Sequence, residues 1–354
     1  MFFVNTTNII EKTKANFLNI ASSKYLFSEN INIDGEFVSI KEVDSFQGVD
    51  ENVINICFTT IQGLHSDLWM PRENGLTIND FEDKKIVLIS DEAHHINSDT
   101  KKGKKSKDEE INEQSWEYSV TRIFGANKNN IMLEFTATCD LKNPFVGKKY
   151  LDKIIFDYPL SKFRENKYTK ELKNFQSDFG KWERTLQAML LSQYRLKLFQ
   201  RNGLNIKPVI LLKSQYIDES KDFYTAFHLT LKKINGSHIA DIDKTGDPII
   251  EKMFEFFHNN NITYDLIADE LTQEFAEEKC ILMNDSKDDT SAKQLLLNSL
   301  EDLNNPYRLI FTVDKLTEGW DVLNLFDIVR LYETRQSGGK SISPYTIKEA
   351  QLIG

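Results

Sequence analysis

Asp91 and Glu92 stand where a hydrophobic run stops: residues 85–96 read KIVLISDEAHHI. Carboxylates placed directly after a buried strand are positioned for phosphoryl chemistry. In open α/β sheets, ligands bind beyond the carboxyl ends of the strands. Magnesium keeps several of its waters and takes one or two carboxylates. An Asp at such a strand end holds the metal on nucleotide phosphates, and an adjacent Glu can act as general base toward the attacking water. On these residues alone a second reading stays open, with Asp91 as a helix N-cap and Glu92 in the first turn. His94 and His95 follow without HExxH spacing and with no Cys or third His nearby, which argues against zinc. A structural role is the default for His95.

Two later stretches bear on the choice. In LEFTATCD, Thr136-Ala137-Thr138 ends the next strand about 45 residues on. Small hydroxyl residues there can hydrogen-bond to the Asp-Glu-Ala-His segment and across a cleft, and their order and distance favour the functional reading. In LTEGWDV (316–322), Gly319 permits an unusual backbone or a close approach to a ligand, with Thr317 and Asp321 as polar neighbours. The competing reading is a glycine turn beside a buried Trp320.

These residues need a scaffold of buried parallel strands. The chain has 354 residues, 40% hydrophobic and 28% charged, with a net charge of −10. That length suits two domains of ordinary size. An acidic surface disfavours nucleic-acid binding over its whole extent, while leaving room for local basic runs such as KKGKKSK (101–107). Three scattered cysteines, Cys57, Cys139 and Cys280, fit a reducing compartment and give no metal or disulfide pattern. No signal peptide or membrane span is read, so a cytoplasmic protein is expected. Strands are expected at 2–4, 54–60, 85–90 and 131–137, apolar on both faces as in covered sheets. Further strands are expected at 207–214, 308–313 and 327–333. A long helix, 178–202, carries Trp182, Leu186, Met189, Leu190 and Leu196. The expected organisation is α/β: a first domain at 1–150, a helical connecting region at 151–205 and a second domain at 206–354.

DEAH, TAT, TEGWDV and EAQLIG (349–354) occur in the order found in superfamily-two helicases. With FTTIQGLH, DEAHHIN, SWE (115–117), LEFTAT and IKPVILLKS, the chain resembles the restriction subunit of type III restriction-modification enzymes. The resemblance covers nearly the whole chain. It implies tandem RecA-like domains with central parallel sheets, ATP and Mg2+ as cofactors, and double-stranded DNA and a modification (methyltransferase) subunit as partners. By that resemblance Asp91 and Glu92 are the magnesium-binding and water-activating residues. His94, Thr136 and Thr138 couple hydrolysis to domain movement. Gly319, Asp321 and Gln351 contact the nucleotide, and Thr59, Thr60, Gln62 and Thr317 contact DNA. Contacts of that kind go to phosphate and sugar and carry no sequence information.

The pattern GxxxxGK[ST], which cradles phosphate between a strand and a helix, occurs nowhere before Asp91. SGGKS (337–341) lacks the first glycine, since Thr334 holds that place. By the resemblance, the first domain lacks its phosphate-loop strand and helix. The chain would then end before an arginine-finger segment and a nuclease domain, as an internal fragment. Three expectations follow: an ATP-dependent DNA translocase portion of a restriction endonuclease, weak or absent ATP hydrolysis by the chain alone, and low solubility from exposed strand edges. The alternatives are a non-catalytic remnant that binds DNA or a modification subunit, and another motor such as the type I restriction motor subunit.

Overall fold

The computed structural model describes residues 1–4, 7–22, 24–28, 30–70, 75–93, 107–136, 139, 141–171, 173–175, 179–284, 291–313 and 322–332. The chain divides into two compact units, Met1–Lys170 and Glu171–Gly354.

The first unit runs β1 (Phe2–Val4), α1 (Thr7–Leu18), β2 (Ile31–Ile33), β3 (Glu36–Val38), β4 (Ile40–Glu42), β5 (Ile54–Ile56) and β6 (Phe58–Thr60). It continues with α2 (Ile61–Trp69), α3 (Ile78–Asp83), β7 (Val87–Ser90), α4 (Lys107–Ala126), β8 (Ile131–Glu134), α5 (Pro144–Tyr150) and α6 (Leu160–Glu165). Its main sheet has the order β6-β1-β7-β8 and is parallel throughout. Parallel neighbours need crossover connections, and here helices make them. Side chains of a strand alternate between faces, and β1 uses both. Phe3 packs with Leu64, Phe81, Leu88 and Ile123 on one face. Phe2 and Val4 pack with Ile9 and Ile10 of α1 on the other.

The apolar run 54–60 is two strands rather than one. β5 pairs with β4 in a separate two-stranded sheet, and the chain then crosses through Cys57 to the main sheet. Among the described residues, β6 and β8 lie at the margins of that sheet. The exposed Ile131 and Phe135 mark the β8 margin.

The second unit runs α7 (Lys181–Arg201), β9 (Val209–Lys213), α8 (Ile217–Leu231), α9 (Gly236–Asp243), α10 (Pro248–Asn259), α11 (Tyr264–Glu274), β10 (Cys280–Met283), α12 (Ser291–Asn298), β11 (Leu309–Thr312) and β12 (Leu325–Arg330). Its parallel sheet has the order β10-β11-β9-β12. All five residues of β9 are buried, the four apolar ones as a central strand requires, with Lys213 at its carboxyl end. Helix α7 buries Leu186, Met189 and Leu190, spaced three and one apart, against that sheet. Each such side chain contributes roughly 1.5–3 kcal/mol when fully buried. The helix ends where Gly203 turns left-handed at φ +69°, the usual glycine stop. β10 was not anticipated from the sequence. The parallel α/β architecture was, and both sheets have the form that RecA-like helicase domains use. Among the described residues, no helix is long and apolar enough to cross a membrane.

Candidate functional site

Parallel pairing fixes where the strand ends lie. Val4 of β1 is level with Thr60 of β6, Phe3 with Ser90 of β7, and Ser90 with Glu134 of β8. Thr59, Thr60, Asp91, Glu92 and Thr136 therefore share one edge of one sheet, the carboxyl edge, where α/β folds bind ligands.

The segment after β7 is latched to the strands on both sides. Asp91 N–H donates to the Phe3 carbonyl at 3.3 Å, and Phe135 N–H donates to the Ser90 carbonyl at 2.8 Å. Ala93 N–H then donates back to the Phe135 carbonyl at 2.9 Å. The Asp-Glu-Ala segment and the threonine-bearing strand end are thus joined backbone to backbone. Glu92 N–H donates to Asp91 Oδ1 at 3.0 Å, and Glu92 itself sits at φ +49°. A non-glycine residue in that left-handed region costs about 1–3 kcal/mol. Glu92 is therefore not in the first turn of a helix, which removes that part of the N-cap reading. Ser90 and Ala93 are buried, whereas Asp91 and Glu92 are partly exposed. Asp91 and Glu92 present carboxylate oxygens, the donor type of a hard cation such as magnesium and not of zinc. Among the described residues, no group of three or more His, Cys, Asp or Glu is gathered for a metal.

On the other side of β1, Thr60 caps α2: its Oγ1 accepts the Gly63 N–H at 2.9 Å. Thr59 Oγ1 donates to the Thr60 carbonyl at 3.3 Å. An added Cβ at Gly63 would lie 2.8 Å from Thr59 Oγ1 and would force that hydroxyl to move. The FTTIQG spelling is thus explained locally as two hydroxyls folded over a helix start, with Gln62 in the first turn. Thr136 is exposed just beyond β8.

Two residues at this edge had not been singled out. The Tyr150 hydroxyl of α5 donates to Glu134 Oε1 at 3.0 Å, and Lys149 is paired with Glu117 of α4 at 2.9 Å. Burial pushes the Glu134 carboxyl above the usual carboxylate range, with the Tyr150 hydrogen bond acting against it. The signal was present in IMLEFTA, where Glu134 interrupts an otherwise apolar strand. Its partner could not be read from spacing.

His94 and Thr138, and in the second unit Thr317, Gly319, Asp321 and Gln351, lie outside the described residues. Val322, the last residue of LTEGWDV, packs beside the second unit's smaller core cluster.

A parallel α/β sheet with an acidic pair at its carboxyl edge is consistent with a RecA-like helicase domain, and sequence comparison identifies the family. Residues 1–141 match the family model described as "Type III restriction enzyme, res subunit". The chain is also 38% identical, over an alignment of 381 positions, to the "Probable type III restriction-modification enzyme HindVIP Res subunit" of Haemophilus influenzae. That alignment covers 96% of this chain and 73% of the relative. The chain belongs to the family of type III restriction enzyme Res subunits, which are helicase-like.

Proposed function

We propose that this chain forms the ATP-dependent DNA-translocating part of a type III restriction endonuclease, acting on double-stranded DNA with a modification subunit. The observation that carries the reading is the Asp91–Glu92 pair at the carboxyl edge of the first sheet, latched by backbone hydrogen bonds to the Thr136 strand end. Asp91 would hold magnesium on the nucleotide, and Glu92 would take the proton from the attacking water. Bound magnesium–ATP supplies the phosphoryl group. The Ser90–Phe135–Ala93 latch makes the strand end bearing Thr136 sensitive to any shift of the acidic segment, a direct route from hydrolysis to movement. The capping threonines, Thr59 and Thr60, with Gln62, would meet the DNA backbone. The roles of His94 and Thr138, of Gly319, Asp321 and Gln351 toward nucleotide, and of Thr317 toward DNA rest on the motif resemblance alone.

The chain alone is expected to turn over ATP weakly, because no GxxxxGK[ST] occurs in its 354 residues. The test is ATP hydrolysis in the presence of magnesium, DNA and the modification subunit. Glu92→Gln is expected to lower turnover by about 100-fold or more, the usual contribution of a general base, with melting preserved. Turnover unaffected by Glu92→Gln, with the variant folded, would favour a binding remnant instead.

A further inference from the structure

Residues 148–170 differ in charge from the rest of the molecule. They carry seven Lys or Arg against three Asp or Glu, in a chain whose net charge is −10. The same stretch holds aromatic and apolar side chains out in solvent: Ile155 is 89% exposed, Phe156 78% and Tyr168 74%. Exposed apolar groups on this scale usually mark an interaction site.

The aromatic side chains are organised. Phe156 and Tyr158 are stacked with centroids 5.8 Å apart and planes 9° apart. Tyr158 meets Phe163 edge-on at 4.7 Å, and Phe163 meets Tyr168 edge-on at 6.1 Å. Asn166 Nδ2 donates to the Tyr158 hydroxyl, and Tyr168 N–H donates to the Phe163 carbonyl at 2.9 Å. The segment before α6, the helix itself and the turn after it together line up four rings. Lys153, Lys162, Arg164 and Lys167 are exposed among them.

We propose that this aromatic row and its basic side chains form a binding surface for single-stranded nucleic acid, with exposed rings stacking on unpaired bases and the cations following the phosphates. Two features favour this occupant over an apolar protein partner. The excess of positive charge is local, and it complements a polyanion. Lys162, Arg164 and Lys167 lie beside Phe163 and Tyr168 along the chain, rings and cations together being the combination that tracks a single strand. A duplex offers the same phosphates but hides its base faces, so the stacking part is specific to unpaired bases. This surface lies outside the Asp91–Glu92 site and does not depend on hydrolysis.

The experiment is fluorescence anisotropy of the whole chain with a labelled oligothymidylate and with a duplex of equal length, without nucleotide, over a range of salt. Phe156→Ala combined with Tyr168→Ala is expected to weaken single-strand binding by at least about fivefold per ring, with a smaller effect on the duplex. Lys162→Ala combined with Lys167→Ala is expected to flatten the salt dependence by roughly 0.7 per lost phosphate contact. Both variants should melt with the parent, because these side chains are exposed. Glu92→Gln should bind as the parent does, so a failed ATPase reading would not mimic a failure here. Single-strand affinity within about twofold of the parent for the aromatic variant, or equal losses on single strand and duplex, would overturn the proposal. So would retained DNA affinity with lost association to a modification subunit, which would make the row a protein interface.

Discussion

Each sheet has a buried polar residue just before one of its strands, and the two residues are of different kinds. Arg308 precedes β11 and is 2% exposed. Its guanidinium donates to Glu274 Oε2 at 2.6 Å, to Gln193 Oε1 at 3.1 Å and to Ser192 Oγ at 2.9 Å, and it lies over the Phe275 ring. Asn130 precedes β8 and is likewise buried. Its Oδ1 accepts the Ile86 N–H at 2.9 Å, and its Nδ2 donates to the carbonyls of Phe81 and Ile123. Both residues tie the amino ends of strands to the helices around them, one with a charge and the other with a neutral amide. At the carboxyl edge of the first sheet, by contrast, the backbone is strained at Glu92 and the carboxylates of Asp91 and Glu92 are partly open. The amino edges therefore hold their strands with buried polar networks, and the carboxyl edge of the first sheet presents partly exposed carboxylates.

The largest expected effect comes from removing the charged network. Arg308→Ala should destabilise the second unit by about 3 kcal/mol, since a broken buried pair leaves polar partners uncompensated. Arg308→Met, which keeps volume and removes the charge, should cost less. Cys280 and Cys57 report the two units separately. Burial raises both thiols, Cys57 to about 11, so neither should react with a thiol probe until its unit opens. In denaturant, Arg308→Ala should bring Cys280 labelling forward and leave Cys57 unchanged. Simultaneous labelling of both cysteines would break the comparison.

Asn130→Ala is the mirror experiment. It strands the Ile86 amide and two carbonyls, and should cost about 2 kcal/mol. Cys57 should then label early while Cys280 keeps its parent behaviour.

A smaller effect is expected at Glu134. Because burial raises its pKa, the folded chain holds this proton to higher pH than the unfolded chain does. Its favourable contribution is complete below the unfolded value and is lost as pH rises through the raised folded value. Glu134→Gln should therefore flatten the stability profile upward from the ordinary glutamate value of 4.5, measured as urea midpoints. An unchanged slope would mean that Glu134 is not desolvated at this edge.

Much of this arrangement was legible in the residues. Apolar runs at 85–90, 131–137, 207–214 and 308–313 marked four parallel strands, because strands covered on both faces are near-continuously apolar. The acidic pair was legible as a candidate because the apolar run stops at it and the TAT and TEGWDV stretches follow in order. β10 was not, since CILM is only four residues long and follows the charged turn Glu277–Lys279. The break at Cys57 was hidden because apolarity persists through it while the hydrogen-bond partner changes. The left-handed Glu92 and the Glu134–Tyr150 bond were beyond any pattern, as both depend on tertiary pairing at the strand ends.

The central claim is that Asp91 binds a divalent cation together with nucleotide. Manganese binding in place of magnesium, followed by electron paramagnetic resonance with and without ATP, tests it without requiring turnover. The account predicts ATP-dependent manganese binding by the parent chain, weakened at least about tenfold by Asp91→Asn, a loss of one carboxylate from a site that uses only one or two. Equal manganese binding by parent and Asp91→Asn, with both chains folded, would contradict it.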